Sequence, residues 1–248
     1  MRNNFFFKGN FSNIYKKPSK LSEVTSQILY GEKFKILSKK KKWIKIKLTF
    51  DNYIGYINNP RYEEKFKPIY KVSNLRAKIF KRPNLSSKKW LPLGSRLSII
   101  DESKYFIKIE KNKWIKKKDI KDINYKEINF IKIFKKFLNV KYVWGGKTYN
   151  GIDCSALLQI YFNYNNLFYP RDTIDQIKYS KKNLRNVKFK KGDIIFWKGH
   201  VAICLNSKKL IHAYGPKKKV LIMPIIKTIN RIQKTAKLEV KQISKIKY

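Results

Sequence analysis

Hydrophobic and polar positions alternate along the first half of the chain, and that alternation predicts strands. Lys33-Phe34-Lys35-Ile36-Leu37 has period two. In Trp43-Ile44-Lys45-Ile46-Lys47-Leu48, Ile44, Ile46 and Leu48 share one face and lysines the other. Asp51-Asn52 is a turn, and Tyr53 to Ile57 forms a further strand. Short strands at this spacing predict a small β-barrel over residues 12–62. Residues 68–122 repeat the pattern, from Val72-Ser73-Asn74-Leu75-Arg76-Ala77 through Pro92 to Ile100, then Tyr105 to Ile109 and Lys113 to Lys117. Asn58-Asn59-Pro60 with the charged stretch 61–68 separates the two, and residues 121–126 make a second linker.

The period changes after residue 126, where a third domain, 126–248, is expected. Ile128 to Leu138 carries apolar residues at helical spacing. Tyr142 to Gly151 is Gly-rich and aromatic, and the apolar run from Ala156 to Tyr161 reads as a second helix. Residues 200–205 and 209–214 read as two strands joined by a polar turn at 206–208. The expected fold class is α+β, with two small β-barrels before the helix-containing domain.

Composition adds an extreme charge. The 248 residues hold 59 Lys plus Arg against 16 Asp plus Glu, a formal net charge of +43. Such a balance raises nucleic acid or an anionic surface as partner. The basic residues are spread over the whole length, and nearly all are Lys. With Asn and Ile also abundant, this is the composition an AT-rich coding sequence gives, so no obligate nucleic acid is expected. The N-terminal Phe5-Phe6-Phe7 is too short for a secretory leader, and no run is long enough to span a membrane. A cytoplasmic location is therefore expected. Two cysteines are no disulfide framework, and Cys204, alternating with Val201, Ile203 and Leu205, reads as core filling.

Cys154 is either a buried structural cysteine or the residue that carries chemistry. It stands where the Gly-rich loop becomes helix, so its sulfur feels the unpaired N–H groups and positive pole of the first turn, which favour thiolate. Asp153 and Ser155 flank it, and either can cap the helix. The chain has two histidines, His200 and His212, both in the paired strands. A hairpin centred on Asn206 sets them directly opposite one another, with Cβ atoms roughly 5 Å apart. Nucleophile, base and orienter would then share one site. No metal and no cofactor are expected: two histidines and one distant Cys lack a fourth zinc ligand.

Residues 142–214 resemble the NlpC family of papain-like cysteine peptidases. The resemblance rests on Tyr142-x-Trp144-Gly145-Gly146, Asp153-Cys154-Ser155, Pro170-Arg171, Gln176, Lys191-Gly192-Asp193-Ile194-Ile195-Phe196, His200-Val201-Ala202-Ile203 and Ile211-His212-Ala213, in the family's order. Ala156 stands where the family usually has Gly. Residues 12–62 and 68–122 resemble bacterial SH3-like domains. Together this arrangement is similar to γ-D-glutamyl-L-diamino acid endopeptidases, which cut peptides of the bacterial cell wall. The resemblance implies Cys154 as nucleophile, His200 as base and His212 as orienting residue. It implies an anionic murein peptide with a free N-terminal L-Ala as substrate, and a role in cell-wall peptide recycling. Tyr142, Asp153 and Ser155 match pocket positions, Asp153 facing the substrate ammonium, and Glu23 and Tyr56 are candidates to complete that pocket. The Cys154 N–H and the Tyr142 hydroxyl would form the oxyanion hole. Competing readings are an inactive peptide-binding protein, an amidase or acyltransferase on the same scaffold, and a nucleic-acid binder. The intact Cys154, His200 and His212 weigh against the first, and the scarcity of Arg weighs against the last.

Overall fold

The computed structural model describes residues 4–181 and 188–246. They fall into two compact units: Met1–Lys126 with Asn163–Asn166, and Glu127–Phe162 with Leu167–Tyr248.

The first unit is built from strands. Seven belong to one antiparallel sheet: β1 (Asn4–Phe7), β2 (Phe11–Tyr15), β3 (Val24–Leu29), β4 (Lys33–Lys40), β5 (Trp43–Leu48), β6 (Ile54–Asn58) and β7 (Tyr62–Glu63), in the order β3-β2-β6-β5-β4-β1-β7. The period-two pattern works as expected, since Ile44, Ile46 and Leu48 are buried with Ile14, Ile28, Phe34 and Ile57 in one core. β1 was not anticipated. Phe5, Phe6 and Phe7 form a strand paired with β4 and β7, and Phe7 enters the core.

The remaining strands of this unit are β8 (Tyr70–Val72), β9 (Arg76–Arg82), β10 (Leu85–Pro92), β11 (Arg96–Leu97), β12 (Asp101–Glu102), β13 (Phe106–Glu110), β14 (Lys113–Lys116) and β15 (Ile120–Asp122). They form a five-stranded sheet, β10-β9-β14-β13-β12, and a three-stranded one, β11-β8-β15. Val72, Ala77, Ile79, Leu91, Ile107, Ile109 and Ile115 fill their core, joined by Tyr30 from the end of β3. Lys8 ties the two halves of the unit, ion-paired to Glu63 (3.1 Å) and Glu110 (3.3 Å).

The second unit contains α1 (Phe130–Lys136), the short pair β16 (Lys147–Thr148) and β17 (Gly151–Ile152), α2 (Cys154–Tyr164) and α3 (Thr173–Tyr179). A five-stranded antiparallel sheet follows: β18 (Asp193–Trp197), β19 (His200–Cys204), β20 (Lys209–Tyr214), β21 (Lys219–Pro224) and β22 (Gln242–Lys245), with α4 (Ile225–Ala236) between the last two. Its order is β21-β20-β19-β18-β22. α1 packs on α2 through Phe130 and Phe134 against Tyr161, with ring centroids 6.3 and 5.8 Å apart. Cys204 is core filling, fully buried with Ile195, Trp197, Leu210 and Ile225. Among the described residues no helix is long and apolar enough to cross a membrane.

Candidate active site

Cys154 is the first residue of α2, and the loop before it is shaped to deliver it there. Gly145 sits in the left-handed region, with φ +72°, and donates its N–H to Asp153 Oδ2 (3.0 Å). A Cβ on Gly146 would lie 2.5 Å from the carbonyl oxygen of Gly151, so only glycine fits that crossing. Asp153 then caps the helix: its Oδ1 accepts the N–H of Ala156 at 2.8 Å.

Arg171, 2% exposed, meets the same carboxylate with both guanidinium arms, Nη2 to Oδ2 at 2.6 Å and Nη1 to Oδ1 at 3.1 Å. The Ser155 hydroxyl donates to Asp153 Oδ1 (3.1 Å) and accepts from Arg171 Nη1 (2.8 Å). Gln176 Nε2 donates to the carbonyls of Ser155 (3.0 Å) and Pro170 (2.9 Å). The motif residues 170–176 thus have a structural duty that their pattern alone did not disclose: they fasten the N-terminus of α2, the helix that begins with Cys154. Asp153 receives five donors from Gly145, Ser155, Ala156 and Arg171, where the sequence reading gave it a substrate ammonium to face.

The histidines meet, but not as the hairpin was drawn. Ile203 pairs with Ile211 and Cys204 with Leu210, so the hairpin centres on Ser207 rather than Asn206. Asn206 is the cause. Its side-chain oxygen accepts the N–H groups of Lys208 (2.9 Å) and Lys209 (2.8 Å), closing a three-residue loop. His200 and His212 become diagonal neighbours on one face, still within side-chain reach. His200 Nε2 lies 2.9 Å from His212 Nδ1, and His212 Nε2 lies 3.3 Å from Met223 Sδ. Tyr214 stacks on His212, with centroids 4.7 Å apart and planes at 11°. Trp197 and Tyr214 hem in His200.

The other expected residues fall as follows. Tyr142 is half-buried, its amide bonded to the Lys218 carbonyl (2.9 Å). Burial raises its hydroxyl's pKa, helped by the charges of Cys154 and Asp153. Glu23 lies in the first unit just before β3, ion-paired with Lys16 at 3.2 Å. Tyr56 sits in β6 of that unit, paired with Lys45 across one edge and Tyr15 across the other.

Desolvation sets the resting protonation. Cys154 is 5% exposed, over a void of about 10 Å³ lined by Phe134, Leu157, Leu158, Val201 and Ile211 among others. Burial pushes its thiol up to about 12, reinforced by the Asp153 charge and opposed by backbone hydrogen bonding at Val201, the Arg171 charge and backbone hydrogen bonding at Ser155. This reverses the sequence expectation of a thiolate: in a dry pocket the cost of a buried anion outweighs the helix terminus. Burial also holds His200 down to about 4, and burial with the neighbouring His200 holds His212 well below the usual histidine range. Burial thus favours a thiol and two neutral imidazoles at neutral pH.

That state ties stability to acid. Between pH about 6.5 and 4 the unfolded chain binds protons that native His200 refuses, so the stability it lends is complete above 6.5 and is lost as pH falls towards 4. We expect the urea midpoint to drop over this window, and His200→Gln to flatten the drop. An unchanged slope in that variant would mean His200 titrates alike in both states.

Residues 139–236 match the NlpC/P60 family, and residues 14–59 match the bacterial dipeptidyl-peptidase Sh3 domain. Dipeptidyl-peptidase 6 of Lysinibacillus sphaericus is 24% identical over 230 residues, 82% of this chain and 84% of that protein. The γ-D-glutamyl-L-lysine dipeptidyl-peptidase of Bacillus subtilis strain 168 is 24% identical over 232 residues, 83% of this chain and 77% of its own. In structure, an NlpC/P60 family protein from Bacillus cereus ATCC 10987 superposes with a TM-score of 0.76 at 20% identity, covering 90% of this chain and 94% of that one, a likeness of fold. The chain is a cysteine peptidase. It carries a catalytic domain of the NlpC/P60 family together with a bacterial dipeptidyl-peptidase SH3 domain. Among the described residues no group of three or more His, Cys, Asp or Glu side chains is placed to hold a metal ion.

Proposed function

We propose that this protein hydrolyses the amide bond between the γ-carboxyl group of D-Glu and the diamino acid in short murein peptides with a free N-terminal L-Ala. The observation that carries the chemistry is the linked pair of imidazoles beside a thiol at a helix start. His200 Nε2 is engaged by His212 at 2.9 Å, which leaves Nδ1 as the ring nitrogen available to Cys154. Cys154 Sγ attacks the amide carbon while His200 Nδ1 takes the thiol proton, so charge appears only as the bond forms. The Cys154 N–H stabilises the oxyanion, and the Tyr142 hydroxyl, neutral through its raised pKa, is suited to donate beside it. His200 returns the proton to the leaving amine. Water then resolves the thioester with His200 as base.

The substrate assignment draws on the relatives, one of them named for γ-D-glutamyl-L-lysine. We read residues 68–122 as a second SH3-like barrel, following the 14–59 match. Tyr142, Asp153 and Ser155 are assigned to the substrate pocket, with Asp153, Glu23 and Tyr56 assigned to the ammonium. A requirement for a free amine suits recycling of released peptides rather than trimming of intact wall.

The test is cleavage of L-Ala-γ-D-Glu-L-Lys and its diaminopimelate counterpart, each against its N-acetylated form. Release of L-Ala-D-Glu from the free-amine peptides alone is expected, and Glu23→Gln should raise KM for them. Cleavage of acetylated and free forms alike would remove the ammonium pocket. Cleavage of neither, by folded protein, would favour a peptide-binding role or another acyl substrate.

A further inference from the structure

Met223, the one methionine besides Met1, lies on β21 diagonally across from His212, which itself faces Leu221. Its sulfur is 3.3 Å from His212 Nε2. A thioether accepts hydrogen bonds and has no proton to donate. The contact is attractive only if His212 Nε2 carries a proton. A neutral imidazole has one N–H, so His212 Nδ1 must then be a lone pair. That lone pair faces His200 Nε2 at 2.9 Å, so His200 Nε2 carries the proton and its Nδ1 is left as a lone pair.

The opposite arrangement sets lone pair against lone pair at Met223 and puts the His200 proton on Nδ1, where no base is left for a thiol. Tyr214 does not alter this, because it covers the flat face of His212 and offers no acceptor in the ring plane. The neutral state of both rings makes the choice of tautomer matter: a doubly protonated ring would have none to choose.

We propose that Met223 is a positioning residue that fixes the tautomer of His212 and, through it, the Nδ1 base of His200. The sulfur acts on the reaction through two rings and touches no reacting atom. The catalytic meaning rests on the assignment of Cys154 and His200 made above; the tautomer relay itself does not.

Full-length protein labelled with ¹⁵N-histidine tests it directly, because two histidines give four ring-nitrogen signals. At pH 7.5 both rings of the wild type should be Nε2–H. Met223→Leu keeps volume and apolarity while deleting the acceptor. It should populate Nδ1–H tautomers in both rings and lower kcat by about 10-fold to 100-fold, the scale on which outer-shell partners of histidine act, with KM within about twofold. Met223→Gln, whose amide oxygen can accept from Nε2–H, should restore the tautomers and most of the kcat. Unchanged tautomers in Met223→Leu would overturn the proposal, as would a loss of kcat that Gln fails to rescue while the tautomers recover. If the wild type cleaves no peptide, the hydrolase assignment falls, and the nitrogen signals still decide the relay.

Discussion

Cys154→Ala is expected to abolish peptide hydrolysis while leaving the protein folded. In cysteine and serine hydrolases the nucleophile and base act as a unit, and removing either costs on the order of 10⁵–10⁶ in kcat. The variant removes one sulfur from a helix start that is held by other groups: the Asp153 cap, the Arg171 pair and the Gln176 bonds all remain. The urea midpoint should therefore move little. Cys154→Ala combined with His200→Ala should be scarcely less active than either single variant, since the second deletion removes a partner that already has nothing to act on. Losses that multiplied in the double variant would mean the two residues work in separate steps, and the thiol–imidazole mechanism would fall.

His200 offers a second view of the same mechanism. With the imidazole held down to about 4, the base stays unprotonated well below the usual histidine range. If His200 is the base proposed above, activity should persist in mildly acidic solution for as long as the fold survives, with stability rather than base protonation closing the acid side.

The sequence made the frame legible where the signal is periodic or local. β4, β5 and β6 follow from alternation, and α2 follows from the apolar run after Gly151. Cys154 stands at the loop-to-helix junction where the sequence put it. Less could be read where one side chain sets geometry for others. The Asn206 side chain widens the hairpin by bonding two lysine amides, and this moved His212 from directly opposite His200 to the diagonal. β1 is three phenylalanines long in pattern and gains its strand identity only from β4 and β7. The tyrosine and methionine that surround His212 come from β20 and β21, and no local spacing announces a sulfur two residues off register. Protonation was the least legible property. The helix start argues for a thiolate, and only the burial contributed by α1 and β19 reveals that the resting sulfur is a thiol.

Arg171→Met is expected to cost about 3–5 kcal/mol of stability, the scale for removing one partner of a buried ion pair. The Arg171 and Asp153 side chains are 1% and 7% exposed, and their closest contact is 2.6 Å. Without the guanidinium, Asp153 keeps the amides of Gly145 and Ala156 and the Ser155 hydroxyl, but its charge has no counter-ion in a dry site. Such a loss is a large share of the roughly 5–15 kcal/mol that holds a domain folded. Arg171→Lys should be only a partial remedy, because an ammonium cannot fork across both carboxylate oxygens and Ser155 at once. Asp153→Asn in the Arg171→Met background should recover much of the stability by removing the stranded charge. It should not recover activity to the same degree, because the clamp that sets the direction of Cys154 is still gone. Urea unfolding and kcat measured on the same four proteins separate the two duties. If Arg171→Met unfolds like the wild type yet loses kcat, the residue acts on substrate rather than as the anchor of the nucleophile's helix.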